Sequence, residues 1–235
     1  MPETDLASRW AEVARRIDAA AERRGRDPSA VRVVAVTKNV PAETIREALD
    51  LGVTDLGENR VQEALGKQLI LGRAAAWHLV GSLQTNKARR AAEAFDLIHS
   101  LDRWELAEIL AEAGERRGRP VPVLVQVNVS GEATKRGLAP GDVLPFLARA
   151  AARGGLGLQG LMTIAPAASD PEEARPHFRR LRELFDRAAA ELPLGTDWRW
   201  LSMGMSQDYE VAVEEGATLV RIGTAIFGPR RTKGG

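Results

Sequence analysis

Eight short apolar runs alternate with helical stretches along this chain, and that alternation limits its fold more than any other feature. The runs fall at residues 31–38, 54–58, 77–81, 97–101, 121–129, 158–164, 198–203 and 219–223. Helical spacing of apolar residues fills the gaps at 42–51, 60–71, 86–95, 103–117, 141–152, 171–192 and 207–215. Repeated strand–helix alternation calls for a parallel sheet wrapped by helices. Eight such units in 235 residues, close to the roughly 250 of a (β/α)₈ barrel, favour a closed barrel over an open sheet. No GxGxxG follows the first run, which argues against a dinucleotide-binding doubly wound sheet. Ahead of the first run, Trp10, Val13, Ala14, Ile17, Ala20 and Ala21 recur at helical spacing. The expected fold is therefore α/β: a single (β/α)₈ TIM-type barrel with an extra N-terminal helix, one domain over residues 1–235.

Composition removes several function classes. Lys+Arg 33 against Asp+Glu 32 leaves a net charge of +1, so no overall field recruits nucleic acid or an anionic membrane. The arginines of the first helix are interleaved with Glu12, Asp18 and Glu22, the pattern of a solvated face rather than a nucleic-acid arm. Cys 0 excludes disulfides, thiolate metal sites and cysteine nucleophiles. His78, His99 and His177 lack close ligand spacing, and no metal site is expected. The acidic start, Met1 to Asp5, is unlike a secretory signal, and no apolar stretch reaches the roughly 20 residues of a bilayer span. A soluble, cytoplasmic protein is expected.

In such barrels the chemistry sits at the C-terminal ends of the strands. There the sequence places Lys38, Glu58-Asn59, His78, Gly81-Ser82, His99-Ser100, Asn128 with Ser130, Met162-Thr163, Ser202-Met203-Gly204 and Arg221-Ile222-Gly223-Thr224. Lys38 is one of only five lysines in a chain that otherwise uses arginine. A lysine enclosed at a strand end loses solvation, which favours its neutral, nucleophilic form; a lysine reaching out to solvent is the other reading. Glycine-containing turns follow the seventh run (Gly204) and the eighth (Gly223). Alone, each is read as a tight turn. Together, opposite Lys38, they suit a phosphate held by backbone N–H groups after strands seven and eight. An amine facing a phosphate cradle suggests pyridoxal 5′-phosphate (PLP), whose aldehyde takes the lysine and whose phosphate takes the cradle.

Several blocks together resemble the pyridoxal-phosphate homeostasis protein family. They include Ala35-Val36-Thr37-Lys38, Gly57-Glu58-Asn59-Arg60-Val61-Gln62-Glu63, Trp77-His78-Leu79-Val80-Gly81, Leu83-Gln84-Thr85-Asn86-Lys87 and Asn128-Val129-Ser130-Gly131-Glu132. Lys135-Arg136-Gly137, Gly160-Leu161-Met162-Thr163, residues 201–206 and residues 220–228 complete the set, which runs from the first strand to the last. The resemblance implies a PLP barrel like that of alanine racemase, without that enzyme's second, all-β domain. It implies that Lys38 forms the Schiff base with PLP and that Arg221 faces the pyridine nitrogen. Ser206, Gly223 and Thr224 then hold the phosphate with help from the Met203 backbone, and Asn59 approaches the ring.

The expected function is PLP holding in vitamin B6 homeostasis, with no catalytic residue assigned. Free PLP is the expected partner and PLP-dependent apo-enzymes are further candidates. A monomer is expected, because the racemase dimer contacts made by the second domain are missing. An amino-acid racemase or related PLP enzyme is the alternative, and a PLP-independent phosphosugar barrel using Lys38 is a third reading. Tyr209, the only tyrosine, is expected to pack on a surface helix rather than act as an acid. Lys135 is either a solvated loop lysine or a second amine for the aldehyde.

Overall fold

The computed structural model describes residues 5–132 and 134–229. Its strands β1 (Arg32–Val36), β2 (Asp55–Glu58), β3 (Ala76–Leu79), β4 (Leu97–Leu101), β5 (Val121–Gln126), β6 (Leu156–Met162), β7 (Trp200–Ser202) and β8 (Leu219–Ile222) pair in chain order into a closed barrel. All pairs are parallel, and β1 closes on β8 through Val34↔Arg221 and Ala35↔Ile222. The expected TIM-type barrel is the observed one. Around it lie α2 (Ala42–Asp50), α3 (Val61–Leu71), α4 (Ala88–Ala94), α5 (Trp104–Arg116), α6 (Val143–Arg153), α7 (Arg175–Glu191) and α8 (Tyr209–Glu214). A short α9 (Thr224–Phe227) follows β8.

Strand alternation sorts side chains into two cores. Val34, Val80, Leu97, Leu124, Met162 and Leu219 fill the lumen, with Val36 and Trp200 against them. Neighbours such as Ala35, Leu56, Trp77, Ile98 and Leu161 point outward and pack under the helices. The N-terminal helix α1 (Leu6–Glu22) starts where the Asp5 carboxylate accepts the Ser8 N–H at 2.7 Å, an N-cap. Its Val13, Ile17, Ala20 and Ala21 are buried, and it lies on α8 and α9. Arg23 bonds Glu214 at 2.7 Å and Arg9 donates to the Ile226 carbonyl at 2.7 Å, so α1 straps the last units of the barrel.

Several strands stop earlier than their apolar runs. β1 ends at Val36, and Thr37, Lys38 and Asn39 form a turn closed by the Val40 N–H on the Thr37 carbonyl, 2.9 Å. Asn39 sits at φ 60°, the left-handed region that asparagine tolerates. Lys38 is accordingly half-buried in a turn, not enclosed at a strand end, which corrects that expectation. β5 ends at Gln126 because Asn128 folds the next loop: its amide donates to the Glu132 carbonyl, 2.8 Å, and accepts the Gly131 N–H, 3.1 Å. Among the described residues no helix is long and apolar enough to cross a membrane.

Candidate functional site

Two adjoining cavities open at the C-terminal ends of the strands. One, of about 890 Å³, is lined by Val36, Asn59, Lys135, Ser206, Arg221, Gly223 and Thr224, among others. The other, of about 870 Å³, is lined by Lys38 together with Arg60, Lys87, Arg103 and Arg136. Asn59, Gly81 and Ser82 belong to both walls. The shared wall needs a glycine: a Cβ on Gly81 would lie 2.3 Å from the Asn59 carbonyl oxygen. Five basic side chains and no carboxylate line the second cavity, so its field draws anions toward Lys38.

Six of the seven expected residues thus come together. On the floor of the first cavity, the Ser206 hydroxyl accepts from the Gly223 and Ala225 N–H groups, each at 3.3 Å. The two amides converge on the Ser206 hydroxyl, and the exposed Thr224 lies between them in the chain; backbone donors gathered in this way are the groups an anion uses. The loop that brings Ser206 there turns at Gly204, φ +90°, where a Cβ would lie 2.5 Å from Ala212 Cβ. Met203 is the exception. Its side chain is fully buried and its N–H is taken by the Leu219 carbonyl at 3.1 Å, part of the β7–β8 ladder. It lies outside the cavity wall, and its N–H is already used by the ladder.

Lys38 is held by a neighbouring clamp that the sequence reading did not single out. The Lys67 ammonium, from α3, donates to the Thr37 carbonyl (2.6 Å), Glu58 (2.6 Å) and Glu63 (2.9 Å). Thr37 donates to the same Glu58 oxygen at 2.6 Å, and Glu63 accepts the Asn39 N–H at 2.7 Å. Both residues flanking Lys38 are therefore fixed to one ion cluster. Burial pushes the Glu58 carboxyl above its ordinary range, against the pull of Lys67 and Thr37. Glu63 also feels burial, but the Asn39 N–H and Lys67 outweigh it and hold this carboxyl low. The signal available in the sequence was the Glu63–Lys67 spacing, an i,i+4 pair on a helix.

Arg221 is the third component. Its guanidinium is buried, donating to Ser202 Oγ at 2.6 Å and to the Thr163 carbonyl at 2.8 Å. Burial lowers its pKa to about 10, with Asp208 opposing the shift, so it stays charged at neutral pH. From Ser202 the polar contacts continue across the lumen: Ser202 Oγ to His99 Nδ1, 3.0 Å; His99 Nε2 to His78 Nδ1, 2.9 Å; His78 Nε2 to Asp55 Oδ1, 3.0 Å. Tyr209 is buried at the start of α8, with the Arg16 guanidinium 5.6 Å from its ring centre, and is absent from both cavity walls. Lys135 lines the first cavity, its Nζ 3.4 Å from Glu132 and without a hydrogen-bond acceptor.

Comparison with known proteins places this arrangement. The family profile for the alanine racemase N-terminal domain matches residues 10–231. A pyridoxal phosphate homeostasis protein of Pseudomonas aeruginosa is 48% identical over 227 residues, covering 96% of each chain. One of Aquifex aeolicus is 42% identical over 228 residues, covering 97% of this chain and 99% of the relative. This chain belongs to the pyridoxal phosphate homeostasis protein family. The structure of PipY from Synechococcus elongatus with PLP bound superposes with a TM-score of 0.81 at 38% identity, over 95% of this chain and 100% of PipY. An alanine racemase of Clostridium difficile shares the fold alone, at TM-score 0.66 and 14% identity, and this chain covers 56% of it. Homeostasis-family relatives are thus matched nearly end to end, whereas the racemase extends well beyond the shared barrel.

Proposed function

We propose that this protein holds PLP at the mouth of its barrel and serves vitamin B6 homeostasis as a carrier. The observation that carries the reading is the convergence of Lys38, the Arg221 guanidinium and the Ser206–Gly223–Ala225 donors on two adjoining cavities. In this assignment Lys38 is the amine for the cofactor aldehyde, and Ser206, Gly223 and Thr224 receive the phosphate. Arg221 faces the pyridine nitrogen and Asn59 approaches the ring. When bound, PLP supplies an electron sink whose strength depends on protonation of its ring nitrogen. A buried guanidinium beside that nitrogen disfavours a second positive charge there, so Arg221 keeps the sink weak.

The carrier reading is preferred to a racemase because Tyr209, the only tyrosine, is absent from both cavity walls. Tyr209 is packed under α1. Lys135 is the other amine in the first wall, placed to accept the aldehyde during loading or release. The basic second cavity gives the anionic cofactor an entry beside Lys38. A cytoplasmic monomer that passes PLP to apo-enzymes completes the proposal. Turnover assays with a panel of L- and D-amino acids test the carrier against the racemase, which requires exchange at the α-carbon.

Discrimination between PLP and pyridoxal tests the assigned cradle directly. Charge-assisted hydrogen bonds to the phosphate are worth about 1.5–3 kcal/mol each, so pyridoxal, which can reach Lys38 but lacks that anchor, should bind orders of magnitude more weakly. Ser206→Ala should narrow the gap by weakening PLP more than pyridoxal in equilibrium titrations. Equal affinities of the wild-type protein for the two vitamers would overturn the cradle.

A further inference from the structure

The lumen chain has one consistent direction. Arg221 can only donate, so Ser202 Oγ accepts from it at 2.6 Å. The Ser202 hydroxyl hydrogen then goes to His99 Nδ1. With Nδ1 accepting, neutral His99 carries its proton on Nε2 and donates to His78 Nδ1. His78 in turn donates from Nε2 to the Asp55 carboxylate. Every contact is satisfied with both rings neutral in the Nε2–H form, and the chain runs from a cation to an anion across the barrel. Reversing it with neutral rings would set a bare His78 nitrogen against the Asp55 carboxylate. Its ends differ in setting: Arg221 lines the cofactor cavity, while Asp55, the first residue of β2, sits 3.7 Å from Arg32, the first residue of β1.

We propose that His78, His99 and Ser202 are positioning residues for Arg221, a one-way relay that anchors the guanidinium on remote Asp55. The inference rests on the assignment of Arg221 to the cofactor ring. Among the described residues Arg221 has no carboxylate in direct contact, although it is buried; Asp208 acts on it only through space. A chain of polarised hydrogen bonds supplies the compensation, without placing at the ring a carboxylate that would favour its protonation. Because a guanidinium cannot accept, the relay cannot hand a proton on to the ring.

The charged or titratable described residues facing the two histidines are Asp55 from β2, Arg32 from β1 and Arg221 from β8, with Asp208 beyond it. Burial, reinforced by His78 and Arg221, holds His99 well below the ordinary histidine range, in keeping with a neutral ring. Burial raises Asp55, but hydrogen bonds from His78 and Thr54 outweigh it and keep this carboxyl low.

Histidine ¹⁵N spectra of the apo-protein, with His177→Gln to leave two rings, read the relay without any cofactor. Two Nε2–H tautomers are expected; a Nδ1–H ring would overturn the relay. In the PLP-loaded protein, His99→Leu should weaken PLP roughly tenfold, the worth of one hydrogen bond to a charged group, and shift the cofactor absorbance band. His99→Gln, which can accept and donate, should restore most of both. Should the leucine variant not fold, Ser202→Ala makes the same test with little change of volume. Wild-type affinity and an unshifted band in a folded His99→Leu or Ser202→Ala protein would refute positioning while leaving the PLP assignment standing. Absence of any PLP binding by the wild-type protein would instead remove the assignment and leave the apo tautomers to be read on their own.

Discussion

Lys38→Ala should abolish the covalent attachment of PLP and its visible absorbance while the barrel stays folded. The side chain is half-buried in a turn beyond β1 and contributes no volume to either core. Thr37 and Asn39 stay tied to Glu58, Glu63 and Lys67, so the turn survives the truncation. A substitution outside both cores that leaves the local hydrogen bonds intact costs within about 0.5 kcal/mol of stability. Residual PLP held by the phosphate cradle should be lost on dialysis. Borohydride reduction followed by mass spectrometry gives the decisive measurement: the wild-type protein should gain one reduced adduct on Lys38 and the variant none. A full-stoichiometry adduct in the variant would move the attachment to another lysine, with Lys135 in the same cavity wall as the first candidate. Far-UV circular dichroism and the thermal midpoint should match those of the wild type.

Periodicity carried the barrel because each strand has to bury two faces, and apolar runs of that kind cannot be hidden in a helix-free loop. The chain length then favoured closure. Strand ends were less legible: residues 37 and 38 extend the apolar run in β1, yet the clamp through Lys67 turns the backbone there. Residues 127–129 are apolar or neutral in sequence, but the Asn128 side chain competes for backbone groups and ends β5. At the site, the lysine, the arginine and the two glycine turns could be found because their types are unusual at strand ends. That the Met203 N–H is taken up by the ladder was not legible, because sequence position says nothing about which amides a ladder uses. His78, His99 and Ser202 were visible one by one as polar residues in apolar strands. Their union was not, since it joins β3, β4 and β7 across the lumen and depends on barrel closure.

Lys67→Met should be the most damaging single substitution at the site, although Lys67 lines neither cavity. The wild-type ammonium compensates a Glu58 side chain that is wholly buried, and Glu58 Oε2 has no hydrogen-bond partner of its own. Removing one member of a buried pair leaves an uncompensated charge and costs about 3–5 kcal/mol. For a domain with about 5–15 kcal/mol of total stability, that is a large fraction. The pH dependence has a definite sign. Burial already raises Glu58 in the folded state, and loss of Lys67 raises it further. A group whose folded pKa lies above its unfolded value contributes stability below the unfolded value and loses it as pH rises through the folded one. The variant's deficit should therefore be largest at neutral pH and shrink as pH falls toward 4.5, the ordinary glutamate value. Lys67→Met with Glu58→Gln should recover much of the loss, because the wholly buried member of the cluster then carries no charge. PLP binding should not recover with it, since the Thr37 carbonyl still lacks its ammonium and the turn carrying Lys38 is released on that side. Denaturant titrations at pH 7.5 and 5 separate the two effects. A deficit independent of pH, or a double variant no more stable than the single one, would mean that Lys67 acts through packing rather than through the charge of Glu58.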